Sequence, residues 1–110
     1  MNPTTDELIE LAICGKLIDD ALAAGYEVSV YDGGAYPLLR STDRAAIIAA
    51  MRSTDGDTLI FHNAGARIGW VQLVYGNGHD VIADNTDNTT TNELLRGAEA
   101  LAEELALTAQ

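Results

Sequence analysis

The residues that could do chemistry in this chain are two histidines, one cysteine and several carboxylates. His62 lies at the end of one predicted strand, and His79 lies at the start of the second strand after it. The first and third strands of a meander run in the same direction, so we expect the two imidazoles at opposite ends of the sheet. A metal site or a catalytic pair needs ligands that converge on one atom. We therefore predict no catalytic residue and no shared metal site, and we interpret both histidines as surface residues near turns.

Cys14 is the second candidate, as a nucleophile. It falls on the predicted buried stripe of a helix, with Glu10 nearby and Lys16 as the one neighbouring base. Burial and a nearby acid raise a thiol pKa, which disfavours the reactive thiolate. A single cysteine cannot form an internal disulfide, and this favours a reducing compartment.

The acidic stretch from Asp84 to Asn88 could bind a cation through its oxygens. An EF-hand loop needs a glycine at its sixth position and a glutamate at its twelfth. Counted from Asp84, these positions hold Thr89 and Leu95, so the pattern fails. A looser oxygen-rich site and a plain solvated loop both remain open. The segment Gly76-Asn77-Gly78 reads as a hairpin turn and not as a phosphate loop, so we predict no cofactor.

The elements around these residues centre on a meander of three strands, in which the middle strand is apolar on both faces apart from Gln72. Asn63-Ala64-Gly65 and the Gly-Asn-Gly segment supply the two turns. A strand that is apolar on both faces is either covered on both or carries an exposed patch. The predicted strands cover residues 26–32, 36–40, 58–62, 67–75 and 80–84.

Three helices complete the pattern, predicted over residues 5–24, 43–52 and 92–107. Capping boxes begin the first and last helices at Thr4 and Thr90, and Gly25 ends the first. The tetrapeptide Arg-Ser-Thr-Asp, at Arg40 and again at Arg52, precedes the middle helix and then stops it. The order α-β-β-α-β-β-β-α predicts a single α+β domain over residues 1–110, with an antiparallel sheet of about five strands and helices mainly on one face.

Two groups of apolar residues exceed what one core contact needs. The first helix has a stripe that should face the sheet, made of Leu8, Leu11, Cys14, Gly15, Ile18, Ala21 and Leu22. Its second row, Ile9, Ile13 and Leu17, is either wrapped by other elements or forms a helix-to-helix dimer contact. The aromatic residues are predicted on the sheet face opposite the helices, as a packed cluster or as a partner-binding patch; they are Tyr26, Tyr31, Tyr36 and Trp70.

The formal net charge is −11, from 17 acidic and 6 basic residues. This charge argues against direct nucleic-acid binding, which needs a clustered basic face, and against anionic membranes. No apolar run reaches the ~18 residues of a membrane span, and no signal segment precedes the first helix. We expect a cytoplasmic protein.

Three stretches cover most of the segment from Gly25 to Asp87: YDGGAYPLLRSTDRAAI, STDGDTLIFH and GWVQLVYGNGHDVIADNTD. In these stretches the chain resembles a group of small, acidic, uncharacterised proteins of phages and proteobacteria. The resemblance implies a cytoplasmic or host-cell setting and brings no known activity, cofactor or catalytic residue.

These observations favour a non-enzymatic protein-binding module that acts as a homodimer. The candidate interface residues are Ile9, Ile13, Leu17, Tyr31, Tyr36 and Trp70. One alternative is an acidic mimic of nucleic acid that inhibits a host defence protein. The other is a small carboxylate- or metal-dependent enzyme that uses Asp80 and Asp84, which the predicted third strand places on one face.

Overall fold

A computed structural model describes residues 4–108 of the chain. Its elements follow the predicted order, and the prediction of an α+β fold with a five-stranded antiparallel sheet is confirmed. The helices are α1 (Thr5–Ala23), α2 (Arg44–Ala50) and α3 (Thr89–Thr108). The strands are β1 (Glu27–Tyr31), β2 (Leu38–Ser41), β3 (Gly56–Asn63), β4 (Ala66–Val74) and β5 (Ile82–Asn85), arranged in the order β2-β1-β3-β4-β5.

Local signals set several of these boundaries. The N–H of Glu7 donates to Thr4 Oγ1 at 3.1 Å, which caps α1 as predicted. At the other end Gly25 has φ +85°, the left-handed backbone that glycine adopts without steric cost. Between β3 and β4, Ala64 and Gly65 both have positive φ, as a two-residue hairpin turn of the favoured hand requires.

The predicted end of β4 and the predicted start of β5 were wrong, because a long-range contact overrides the local turn signal there. The Gly76-Asn77-Gly78 segment is not a tight hairpin: β4 ends at Val74, and a 3₁₀ turn over Gly78–Asp80 leads into β5. The carboxylate of Glu10, far away in sequence, holds this segment through the N–H groups of Gly76 and Gly78. As a result Asp80 and Asp84 do not share a strand, and the predicted pairing of the two on one strand face fails.

The last helix also begins earlier than predicted, because its cap is a different residue. Thr90 already belongs to α3. The N–H of Thr91 donates to Asn88 Oδ1 at 2.8 Å, so Asn88 acts as the N-cap.

All three helices cover one face of the sheet, which we call the inner face. Alternate strand residues point to this face and are buried under the helices: Val28, Val30, Leu59, Phe61, Val71 and Leu73. Ile47 of α2 and Leu95 of α3 join the same core. The opposite face, which we call the outer face, carries no helix among the described residues.

The close approach of α3 to β4 depends on Gly69. A Cβ added at this glycine would collide with Thr91 Oγ1 and lie 3.4 Å from Thr91 Cβ. We expect Gly69→Ala to lower the free energy of unfolding by about 1–3 kcal/mol through overpacking, measured by urea denaturation. Gly34→Ala is the matched control, because the nearest atom there is 3.9 Å away. Thr91→Ala should reduce the cost of Gly69→Ala, and equal costs in both backgrounds would contradict this account.

Candidate functional site

The outer face is a broad surface that the fold leaves without a covering helix in residues 4–108. Its residues lie in three rows across the strands, as the register of β1, β3, β4 and β5 shows. The first row is Glu27, His62 and Arg67. The central row is Ser29, Ile60 and Trp70, and the third is Tyr31, Thr58, Gln72 and Asp84.

Aromatic side chains cluster around the middle of this face. The rings of Tyr31 and Tyr36 are 4.8 Å apart between centroids and tilted by 47°. Together with Trp70 they line a shallow groove that also includes Ile60, which is only 4% exposed. Tyr36 remains 49% exposed. The predicted aromatic patch therefore contains three residues and not four, since Tyr26 packs against the inner core instead.

The charges of the outer face balance one another. Arg40 pairs with Glu27 at 3.2 Å. Arg67 is exposed and makes no ion pair with any described residue. Asp84 lies on the same face opposite Gln72, and its Oδ1 accepts only the N–H of Asn85. Two cations and two anions cancel, so the whole net charge of −11 resides on the rest of the molecule.

Ser29 and His62 meet on this face, and the contact resembles a nucleophile with its base. The distance from Ser29 Oγ to His62 Nε2 is 3.2 Å. Ser29 is fully buried, however, and its Oγ also accepts the N–H of Arg40 at 2.9 Å. Burial, followed by the positive charges of Arg40 and then Arg67 against an opposing effect of Glu27, lowers the pKa of His62. We interpret the pair as a structural hydrogen bond between the serine hydroxyl and a neutral imidazole, because a substrate cannot reach the hydroxyl.

The second predicted apolar row lies inside the molecule. Ile13 and Leu17 are completely buried, and Ile9 packs half-buried against the same core. This corrects the assignment of Ile13 and Leu17 as interface candidates, because fully buried side chains offer no surface to a partner, and Ile9 keeps only part of its surface. The stripe that is predicted to face the sheet is buried at Cys14, Gly15, Ile18 and Ala21, whereas its first two members, Leu8 and Leu11, are 54% and 44% exposed.

A buried polar cluster, which we call the Glu10 cluster, lies on the opposite side of the sheet. It consists of Glu10, Arg52, Asp57 and Tyr75. Glu10 is completely buried, and its Oε1 accepts from Arg52 Nη1 at 3.2 Å. Its Oε2 accepts the N–H groups of Gly76 at 3.0 Å and Gly78 at 2.8 Å.

Asp57 extends the cluster. Its Oδ2 accepts the N–H of Arg52 at 2.8 Å and the hydroxyl of Tyr75. The guanidinium of Arg52 lies 4.4 Å above the Tyr75 ring, a cation–π distance. Arg52 reaches these partners from a left-handed backbone with φ +69°, and Arg40, in the other copy of Arg-Ser-Thr-Asp, has φ +49°. The repeated tetrapeptide thus marks two strained arginines, each of which pairs with a carboxylate.

The Glu10 cluster stabilises the fold, and both Tyr75 and the neighbouring Cys14 are held in unreactive, protonated states. Burial, followed by the hydrogen bond to Asp57, raises the pKa of Tyr75, so its hydroxyl stays a donor. Cys14 lies beside the cluster, where burial and then the charge of Glu10 raise its pKa to about 12. A thiol with this pKa is protonated at neutral pH and is a poor nucleophile, which agrees with the prediction for this residue.

The raised pKa of Cys14 has a measurable consequence for stability. In the unfolded chain the thiol ionises near pH 9.0, whereas in the folded chain it retains its proton to about pH 12. Stability should therefore fall as pH rises from 9 to 12, by up to about 1.4 kcal/mol per pH unit for one proton. We expect urea unfolding of Cys14→Ala at pH 8–11 to show a shallower decline than the wild type. Parallel declines in the two chains would contradict the assignment.

Side-chain oxygens of the acidic stretch from Asp84 to Asn88 accept hydrogen bonds from groups of the same chain. Asp87 Oδ1 accepts from Asn92 Nδ2 at 3.1 Å, and Asn88 caps α3 while its Nδ2 donates to the carbonyl of Ile68. Within residues 4–108 no group of three or more His, Cys, Asp or Glu side chains is placed to hold a metal ion. His62 and His79 lie at opposite ends of β4, as predicted.

Sequence reasoning missed Glu10 and Asp57, although a signal for each was present. Glu10 lies four residues before Cys14, on the helix face that is buried. Asp57 has the same parity along β3 as Leu59 and Phe61, which point inward. A carboxylate at a core position of an amphipathic pattern is a residue that needs a buried partner.

A scan against protein-family models finds no match, and no curated protein or solved structure matches the chain. The resemblance to small phage and proteobacterial proteins stays a prediction. No helix in the described part of the chain has the length and apolar character needed to cross a membrane.

Proposed function

We propose that this protein is a non-enzymatic binding module that forms a homodimer through the outer face of its sheet. The observation that supports the proposal most strongly is the grouping of Tyr31, Tyr36 and Trp70 on a sheet face without a covering helix in the described residues. Aromatic residues are enriched at protein interfaces, and Trp and Tyr dominate their binding energy.

The charge of the outer face fits a second copy of the chain. Strand length and spacing give this face about 500 Å² in plan before side-chain relief is counted, which is less than the about 800 Å² per partner of a standard interface and corresponds to a weak, concentration-dependent dimer. Two molecules with a net charge of −11 each repel one another over most of their surfaces. They can approach most closely through the outer face, where the charges cancel.

The test is the solution mass of the full chain, by light scattering, over a range of concentrations. Trp70 is the only tryptophan, so its fluorescence should shift to shorter wavelength as the mass rises from monomer to dimer. A rise in mass without a change in Trp70 emission would place the contact elsewhere. A monomer at every concentration would overturn the proposal.

A second candidate function is suggested by the surface of the helices. α1 packs against α3, and their exposed acids include Asp6, Glu7, Asp19, Glu93, Glu99, Glu103 and Glu104. The bases of these two helices are Lys16, which pairs with Asp20 at 2.9 Å, and Arg96. Such a surface supports the alternative of a nucleic-acid mimic that occupies a basic site on another protein.

Competition distinguishes the two candidates. A mimic should bind a basic DNA-binding protein in a way that DNA competes away. Glu99→Gln combined with Glu103→Gln should weaken this binding, whereas Trp70→Ser should leave it unchanged. The opposite pattern would favour the outer face as the functional surface.

A further inference from the structure

We infer that two copies of this chain pack outer face to outer face around a two-fold axis that runs along the central row, Ser29–Ile60–Trp70. The inference rests on the proposed function and specifies its geometry. In a two-fold interface both copies use the same patch. If a first residue of one copy contacts a second residue of the partner, then the second residue of that copy contacts the first residue of the partner.

The rows on the outer face suit such an axis. The central row crosses the strands midway between the row that contains Arg67 and the row that contains Gln72 and Asp84. Rotation about the central row exchanges these two flanking rows. It also brings Trp70 of each copy to the middle of the interface, where a buried aromatic residue contributes most to binding. Sheets packed in this way lie about 10 Å apart, within reach of long side chains from both faces.

The unpaired charges supply the second argument. Glu27 and Arg40 already neutralise each other within one copy. This leaves Arg67 in one flanking row and Asp84 in the other. The two rows are about 14 Å apart along the strands, the distance from His62 to Thr58 on β3. Because the axis exchanges the rows and keeps β4 over β4, Arg67 of each copy comes to lie over the partner's Gln72, one strand spacing of about 5 Å from the partner's Asp84. Two symmetric ion pairs form, and the charges that have no ion-pair partner among residues 4–108 of one copy find one in the dimer.

Charge reversal tests this arrangement directly. Arg67→Asp places two acids opposite each other at both ends of the interface, and Asp84→Arg places two bases there. We expect each variant alone to raise the Kd for self-association at least tenfold, measured by sedimentation or light scattering. An equimolar mixture of the two variants should form a heterodimer with a Kd within about threefold of the wild type, because one ion pair is then present as in the wild type and the other is restored with reversed signs.

Arg96→Asp is the matched control, since it makes the same change in net charge on exposed α3 and should leave the Kd within about threefold of the wild type. If Arg67→Asp behaves like this control while the wild type dimerises, the two-fold arrangement is wrong and the outer-face dimer survives. A mixture that binds no tighter than either variant alone also overturns the arrangement. A wild type that stays monomeric overturns the proposed function itself.

Discussion

Glu10→Ala should lower the free energy of unfolding by about 1–4 kcal/mol, because it removes a buried acceptor of three hydrogen bonds and one partner of an ion pair in which the Arg52 side chain is 32% exposed. Glu10 is completely buried, and both of its carboxylate oxygens are occupied. The alanine would leave the guanidinium of Arg52 without its carboxylate. It would also leave the buried N–H of Gly78 without an acceptor, and an unsatisfied buried donor costs about 1–3 kcal/mol. Chemical denaturation at pH 7 measures the effect.

Two further variants distinguish the stability cost of losing the buried charge from the cost of losing any glutamate on a helix surface. Glu99→Ala removes an exposed glutamate from α3 and should change stability by less than about 0.5 kcal/mol. Glu10→Gln keeps one acceptor oxygen but loses the charge that pairs with Arg52, so its cost should fall between those of the other two variants. If Glu10→Ala costs no more than Glu99→Ala, the Glu10 cluster does not hold the 76–78 segment to α1.

The sequence predicts most of the fold because the controlling signals are local. The inward alternation of Val28 and Val30 on β1, the cap at Thr4 and the glycine at position 25 each act over a few residues. The placement of Pro37 just before β2 likewise predicts an edge strand, and β2 lies at the edge of the sheet.

The failures arise where a distant residue decides the local structure. The path of Gly76 to Gly78 depends on a carboxylate more than sixty positions earlier in the chain. Both apolar rows of α1 are largely buried, because the helix packs against the sheet and also against α3. The periodicity of one helix cannot show how many neighbours cover it, so the sequence alone left open whether Ile13 and Leu17 are covered inside the chain or by a second copy.

For the same reason, the aromatic part of the candidate surface could be predicted from the sequence, whereas its charge balance could not. The apolar character of both faces of β4 indicates either a covered strand or an exposed patch, and the aromatic residues point to the patch. The balance between Arg67 and Asp84 is a property of the assembled sheet, since the two residues lie on different strands. It emerges only when the register of β4 and β5 is known.

Trp70→Glu should raise the Kd for self-association at least ~100-fold, which corresponds to about 2.7 kcal/mol of binding free energy. The substitution removes the aromatic ring from the middle of the outer face and places a carboxylate there in each copy. Trp70 is partly exposed in the single chain. The free energy of unfolding of the monomer should therefore change by much less than the binding free energy of about 2.7 kcal/mol that the dimer loses. Light scattering measures the Kd, and urea denaturation of dilute protein measures the monomer.

Leu107→Ser is the matched control for this prediction. Leu107 is a large apolar residue with 67% of its surface exposed, at the end of α3 and away from the sheet. If exposed apolar surface in general drives association, Leu107→Ser should weaken the dimer as Trp70→Glu does. If the outer face is the interface, Leu107→Ser should leave the Kd unchanged. A loss of dimer in both variants would therefore count against a specific site, because only position 70 lies on the face where the charges of two copies cancel.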